Sequence, residues 1–335
     1  MNHEELQTLC IKAGESKFRG GQLFEWLYRH GISSFDSMLN INKSFREHLN
    51  EHFILHTLTV ENSLPSKEDK SVKILFRTQD DHFIETVSMV ENNRHTVCLS
   101  SQAGCVLDCH FCATGELGLK RNLSTGEIVD QLIYVRENTD QPITNVVFMG
   151  MGEPFHNYDN VLNASDIFHS PKGFNLASTR ITISTAGLLP QINKYIKEKR
   201  RYKLAISLNA SNDKVRTKIM PINKKWSIND LIKSGKEYSN QKKRLIMFEY
   251  VLLKGINDSE EDALELARLL QGIPCKINLI PYNEIEGKYQ RPDETTITKF
   301  SEILHNYRDE YRVLVRWSKG QDIAAGCGQL AGQKK

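Results

Sequence analysis

Apolar positions recur at helical spacing along the first 55 residues. Leu23, Trp26 and Leu27 share a face, and Phe35, Met38 and Leu39 continue it beyond the turn at Gly31. The pattern predicts a small helical accessory domain over 1–55. Residues 56–90 then read as a linker and a short β-hairpin extension, because 72–78 and 82–90 alternate apolar and polar residues around Asp80-Asp81. From 91 to 321 short apolar runs at 96–100, 145–149, 180–184, 203–208, 245–253, 276–280 and 312–316 alternate with helical stretches such as 125–136 and 260–270. Repeated strand–helix units predict an α/β fold with a parallel sheet, either open or closed as a β/α barrel. Active-site residues of such barrels lie at the C-terminal ends of the strands. Residues 322–335 form a C-terminal loop.

Composition narrows the classes. The chain has 335 residues, 39% of them apolar and 25% charged, with a formal net charge of +3. That is ordinary for a globular protein and permits a nucleic-acid partner without arguing for one. No run approaches a membrane span, and Met1–Cys10 lacks the apolar core of a secretory signal. The expected location is the cytoplasm. Seven cysteines in so long a chain point to metal binding, catalysis or burial rather than to structural disulfides. Lys17, Arg19, Arg29, Lys43 and Arg46 in the helical domain, and the clusters 197–201, 224–225 and 242–244, are candidate phosphate contacts and read equally well as solvated faces.

The densest chemical signal is Cys105-Val-Leu-Asp-Cys109-His-Phe-Cys112, a C-x3-C-x2-C loop after a strand. Three thiolates on one loop can hold one [4Fe–4S] cluster and leave one iron open to chelate a small molecule. Structural zinc normally takes four protein ligands, and His110 is the available fourth, although its spacing fits no finger. Simple burial of the cysteines is the third reading. The loop with Phe111 resembles the signature of the radical S-adenosylmethionine (SAM) superfamily.

Other candidates sit at strand ends. Met149-Gly-Met-Gly152-Glu153-Pro154 is a glycine-rich turn where backbone can approach a ligand and Glu153 can accept from an ammonium group. Ser184, the Ser207-Leu208-Asn209 run and Asn283 each read singly as caps or turn residues; their shared placement makes them candidates for SAM. Cys327 lies between glycines, which predicts a flexible, exposed loop. Cys98 sits on the strand before the cysteine loop and reads as a buried apolar residue, like Cys10 and Cys275. Glu85 is the acid of the hairpin, on a strand face that reads as solvated.

These segments together resemble the RlmN/Cfr family of radical SAM adenosine C-methyltransferases, and its RlmN branch more than its Cfr branch. The resemblance rests on residues 17–53, Ile84-Glu85-Thr86-Val87, the run from Cys98 to Cys105, Phe148 to Pro154, Met220 to Lys224, Ile277 to Asn283, and Asp322 to Leu330. It implies a partial (β/α)6-type radical SAM barrel and one [4Fe–4S] cluster on Cys105, Cys109 and Cys112. It also implies SAM contacts by Gly152, Glu153, Ser184, Ser207, Leu208, Asn209 and Asn283. Many members carry histidine where this chain has Asn209; a backbone contact survives that change.

The implied reaction is methylation of adenosine C2 in 23S rRNA and, 3′ to the anticodon, in certain tRNAs. The Cfr branch instead methylates C8 of the rRNA base, and another radical SAM RNA-modifying enzyme is the remaining alternative. Two SAM molecules serve each turnover. One methylates Cys327. The second is reductively cleaved to a radical that activates that methyl group for addition to adenine. The resemblance makes Glu85 the base that removes the C2 proton. It makes Cys98 the thiol that attacks the Cys327 sulfur, forms a transient disulfide and frees the product. Cys98 and Cys327 must therefore meet in the fold. An electron donor such as flavodoxin, no membrane and a monomeric state complete the expectation.

Overall fold

Three short helices open the chain: α1 (His3–Lys12), α2 (Arg19–Glu25), continued by one π turn, and α3 (Lys43–His52). A capping box at Asn2 and Glu5 starts α1, and the Asn42 side chain caps α3. Leu6, Leu23, Phe24, Phe35, Met38, Phe45 and Leu49 form the core of this unit. Leu39 departs from expectation and is 82% exposed, because Phe35–Ser37 is a single 3-10 turn whose geometry swings residue 39 outward. A computed structural model of the chain describes residues 1–242, 244–285, 289–307 and 311–332. Part of the basic run 242–244 and the end of the C-terminal loop, 333–335, lie outside the described residues.

The helical unit docks through polar bonds as well as apolar contact. Asp130 accepts from Thr57 N and Leu58 N and bonds His56 Nδ1, while Arg136 Nη1 donates to the Tyr28 carbonyl at 2.6 Å.

The remainder is built on one ten-stranded sheet that does not close. Strands β1 (Leu58–Pro65), β2 (Lys70–Thr78) and β3 (Phe83–Glu91) run antiparallel, and β4 (Arg94–Cys98) pairs antiparallel with β3. The expected hairpin is β2–β3, and β1 adds a third strand to it. A register shift between Val60 and Asn62 breaks the alternation of β1, which is why its pattern is not strand-like.

After β4 come the short pair β5 (Gln102–Ala103) and β6 (Arg121–Asn122), with α4 (Ala113–Glu116) between them. There follow α5 (Thr125–Glu137), β7 (Asn145–Phe148), α6 (Tyr158–His169), β8 (Ile181–Thr185), α7 (Leu189–Lys197) and β9 (Lys203–Ser207). The chain continues through α8 (Asp213–Ile219), α9 (Ile228–Lys242), β10 (Ile246–Leu252), α10 (Glu260–Leu269), β11 (Cys275–Pro281), α11 (Glu294–Asn306) and β12 (Tyr311–Val315). Strand β4 and strands β7 to β12 are all parallel. Six of them are followed by helices, so the core is a partial (β/α)6 barrel with β12 appended. Buried parallel strands carry continuous apolar runs, such as Asn145–Phe148 with all four residues buried, and those runs made them legible. Among the described residues no helix is long and apolar enough to cross a membrane.

Candidate active site

The C-terminal ends of the parallel strands open into a cavity lined by Cys105, Cys109, Cys112, Gly152, Glu153, Ser184, Ser207, Asn209 and Cys327. The strands place these side chains; the loops orient them.

The cysteine loop leaves β5 at Gly104 (φ +72°), where a Cβ would lie 1.9 Å from the Gly118 carbonyl oxygen, so only glycine fits. Leu107 N–H donates to Cys105 Sγ at 3.4 Å, and His110 N–H donates to the Ile219 carbonyl. Burial pushes the Cys105 thiol up to about 12, and pushes Cys109 well above its usual range, with Cys112 and Cys105 adding to the effect. Thiolates gathered in a desolvated cavity repel one another, and a cationic partner such as iron relieves that repulsion. His110 pairs loosely with Asp108 at 3.7 Å and does not line the cavity. Among the described residues no three His, Cys, Asp or Glu side chains are gathered as a single-ion site. The three thiols line one cavity, and the donor set fits a [4Fe–4S] cluster in which three irons take one thiolate each and the fourth is left open.

Arg216, on α8, was not singled out from sequence. It is completely buried. Its guanidinium donates to the carbonyls of Leu208, Ala186 and Ser207 and to Asn223 Oδ1. Among the described residues it has no carboxylate in ion-pair range, and its charge is felt at Cys109. It therefore joins the ends of β8 and β9 and sets a positive charge behind the cysteine loop. The only hint in the sequence is its place one turn before Met220–Asn223.

The glycine-rich turn lines the cavity at Gly150 and Gly152 and also packs tightly against the chain. A Cβ at Gly150 would meet the Leu99 carbonyl oxygen at 2.7 Å, and one at Gly152 (φ +99°) would meet Gln102 at 2.5 Å. These glycines permit close packing against the chain itself. Glu153 is buried, accepts from Phe155 N at 2.9 Å and Ala186 N at 2.8 Å, and has its carboxyl raised chiefly by burial. Among the described residues the hydroxyls of Ser184 and Ser207, both facing the cavity, have no hydrogen-bond partner; that leaves two polar groups for a ligand. Asn209 (φ +56°) instead uses its side chain on the protein: Oδ1 accepts from Val251 N at 2.9 Å and Nδ2 approaches Met220 Sδ. Leu208 is fully buried, and its N–H donates to the Glu249 carbonyl.

Asn283 donates Nδ2 to the Cys327 carbonyl at 3.0 Å. The Cys327 loop is not the flexible segment its glycines suggest. Gly328 O accepts from Ala113 N, Leu330 O accepts from Thr114 Oγ1, and Gln329 bridges Gly326 N and the Glu284 carbonyl. The Cys327 side chain is solvent-accessible, yet protein surrounds it. It faces both the cavity above and a second cavity, in the barrel interior, that Cys98 lines. The two thiols are unbonded and close enough for Cys327 to help raise Cys98, which burial pushes up to about 12. No disulfide joins them in this structure.

Glu85 is not on a solvated face. It is 3% exposed, ion-paired with Lys73 at 3.2 Å, and accepts from Ala331 N at 2.7 Å and Gly332 N at 3.0 Å. It lies beneath the C-terminal strap and lines neither cavity. Glu249, also not singled out as a site residue, is buried at the cavity floor. Its Oε1 accepts from Asn278, its Oε2 has no hydrogen-bond partner among the described residues, and burial raises its carboxyl.

Comparison with known proteins agrees with this geometry. The model of the radical SAM superfamily matches residues 99–267, and that of the ribosomal RNA large subunit methyltransferase N-terminal domain matches residues 1–55. The dual-specificity RNA methyltransferase RlmN of Desulfotalea psychrophila is 42% identical over 342 residues, covering 99% of this chain and 93% of its own. That of Geobacter sulfurreducens is 42% identical, covering 98% and 90%. A radical SAM methyltransferase from Sphaerobacter thermophilus superposes with a TM-score of 0.94 at 40% identity, covering 99% of this chain and 98% of its own.

Proposed function

The chain belongs to the RlmN family of radical SAM RNA methyltransferases, and from that premise we propose that it methylates C2 of adenosine in 23S rRNA and in tRNA 3′ to the anticodon. The observation that carries the reading is the pairing of Cys98 and Cys327 across one cavity, with Cys327 also facing the cysteine loop.

Adenine C2 offers no usable lone pair, so direct transfer of a methyl cation to it is not available. Cys105, Cys109 and Cys112 would hold a [4Fe–4S] cluster, which would supply the electron for radical chemistry. Gly152, Glu153, Ser184 and Ser207 would hold SAM, which would supply the methyl group, at two SAM per turnover. Cys327 accepts the methyl group and carries it to the base. Asn283 Nδ2 and Ala113 N–H hold that loop in place by donating to the Cys327 and Gly328 carbonyls. Once the former methyl carbon joins the Cys327 sulfur to the base, the Cys98 thiolate attacks that sulfur. The sulfur–carbon bond breaks and the released carbon takes up a proton to become the methyl group. This leaves a Cys98–Cys327 disulfide that must be reduced before the next turnover. Glu85 is the proposed base for the C2 proton. Its carboxylate is fully engaged by Lys73 and the strap, so it serves only after the strap lifts.

Mass spectrometry of rRNA and tRNA nucleosides from a strain lacking the gene tests the reading. Loss of 2-methyladenosine, restored by the gene, is the expected result. Loss of 8-methyladenosine moves the chain to C8 chemistry, and an unchanged profile refutes RNA methylation of either kind.

A further inference from the structure

Alternate residues of a strand face one side of a sheet. Three strands of the barrel interior therefore run from a basic end to a chemical end. On β4 the row is Arg94, Thr96, Cys98, and on β11 it is Lys276, Asn278, Ile280; all six line the second cavity. On β9, Lys203 lines the same cavity, and Ser207, four residues on, faces the cysteine-loop cavity. Four residues of strand span about 13 Å. The second cavity has a volume of 550 Å³ and includes Cys327 at its inner end.

The cations at the other end are not ion-paired among the described residues, although Glu91 is near enough to favour the charge on Arg94. Among the described residues Arg94, Lys203 and Lys276 have no carboxylate in ion-pair range, and the one acid lining the cavity, Glu91, is bonded to Lys319 at 2.9 Å. Burial and the neighbouring cations Arg316 and Arg180 depress Arg94; burial and Lys276, Arg94, Arg180 and Arg244 depress Lys203. Lys203 and Lys276 are half-buried and Arg94 is exposed; cations that repel one another are relieved by a bound anion. Leu314 and Trp317, 50% and 47% exposed, also line this cavity. An accessible indole beside a row of cations is what single-stranded nucleic acid uses, bases stacking on the ring and phosphates on the charges.

We propose that the RNA strand occupies this second cavity, with Arg94, Lys203 and Lys276 holding phosphates that flank the target adenosine and Trp317 stacking a neighbouring base. RNA and SAM then reach Cys327 from opposite sides, and neither has to leave for the other to bind. The inference rests on the proposed RNA substrate and adds its path.

The test uses the full chain with its cluster reconstituted and a fluorescent RNA hairpin carrying an unpaired adenosine in its loop. Binding is read by anisotropy across a salt series for wild type, the double variant Lys203→Gln/Lys276→Gln, and Trp317→Ala. The double variant is expected to lower affinity at least tenfold and to reduce the slope of log K against log salt by about 1.4, roughly 0.7 for each lost contact. Trp317→Ala is expected to lower affinity at least fivefold and leave the slope unchanged. Iron content and thermal melting matching wild type show that the variants are folded, and Trp317, being exposed, keeps the test open if the double variant is not. Unchanged RNA affinity and slope in both variants overturns the proposal. So does normal RNA binding with weakened binding of an acidic redox protein. Failure of the proposed function shows separately, as wild-type protein that leaves the hairpin adenosine unmethylated.

Discussion

The side-chain amide of Asn283 donates to the backbone carbonyl of Cys327 at 3.0 Å, tying the loop that carries this thiol to the end of β11. Gly326 makes the approach possible, because a Cβ there would lie 2.6 Å from Asn283 Cγ. Gly326→Ala is therefore expected to push the loop off its anchor. A displacement of about 1 Å at a reacting centre costs on the order of a hundredfold in rate. Intact-protein mass spectrometry of Cys327 methylation measures it, with iron content as the control. Wild-type methylation in this variant means that the contact does not position Cys327.

The Lys73–Glu85 ion pair is buried on both sides, and Lys73 also donates to the Ala324 carbonyl at 3.2 Å. Lys73→Met removes the cation and leaves a buried carboxylate alone, a change worth about 3–5 kcal/mol. The strap over Glu85 is expected to loosen first. Limited proteolysis should then cut within 320–332 faster than in wild type. Glu85→Gln, which keeps an acceptor for Ala331 N and Gly332 N, should show a smaller effect. Equal cleavage of all three proteins removes the pair as the strap's anchor.

Sequence and structure agree best where the signal is local. The parallel strands were legible because burial on both faces demands unbroken apolar runs, and the cysteine loop because its three thiols share eight residues. Strand β1 was not, since a bulge at Val60–Asn62 destroys its alternation. Leu39 misled because helical spacing was extended through a 3-10 turn. Glu85 was misjudged in its burial and the Cys327 loop only in its flexibility, since Cys327 is exposed as expected. An acid in a hairpin looks solvated, and a loop between glycines looks free, until a segment distant in sequence, the C-terminal strap for one and α4 for the other, covers or anchors them. Arg216 and Lys73 were invisible because their importance lies wholly in tertiary neighbours.

Arg216 yields its own expectation. Arg216→Met leaves the carbonyls of Ala186, Ser207 and Leu208 without their donor, at about 1–3 kcal/mol for each buried acceptor left unpaired. Arg216→Lys restores the charge but not the fork that spans three carbonyls. Calorimetric SAM binding is expected to weaken in both, because the strand ends carrying Ser184 and Ser207 lose their brace. Loss of iron during gel filtration should be greater for methionine than for lysine, since only methionine removes the positive charge beside Cys109. Equal iron retention in the two variants assigns Arg216 to bracing alone.

Product release should depend on pH through Cys98. Burial, aided by the neighbouring Cys327, pushes this thiol up to about 12. At pH 7 it is therefore protonated, and only the thiolate attacks sulfur. While pH stays below the raised value, each unit of increase multiplies the thiolate fraction by about ten. Decay of the protein–RNA adduct, followed on denaturing gels after a single turnover, is expected to accelerate about tenfold per unit between pH 7 and 9. Cys98→Ala is expected to trap the adduct at every pH, as a slow-migrating band that disappears when Cys327→Ala is combined with it. Two results tell against the assignment. A decay rate independent of pH means that the attacking group is already ionised, and absence of the band in Cys98→Ala means that no covalent adduct is resolved by this thiol.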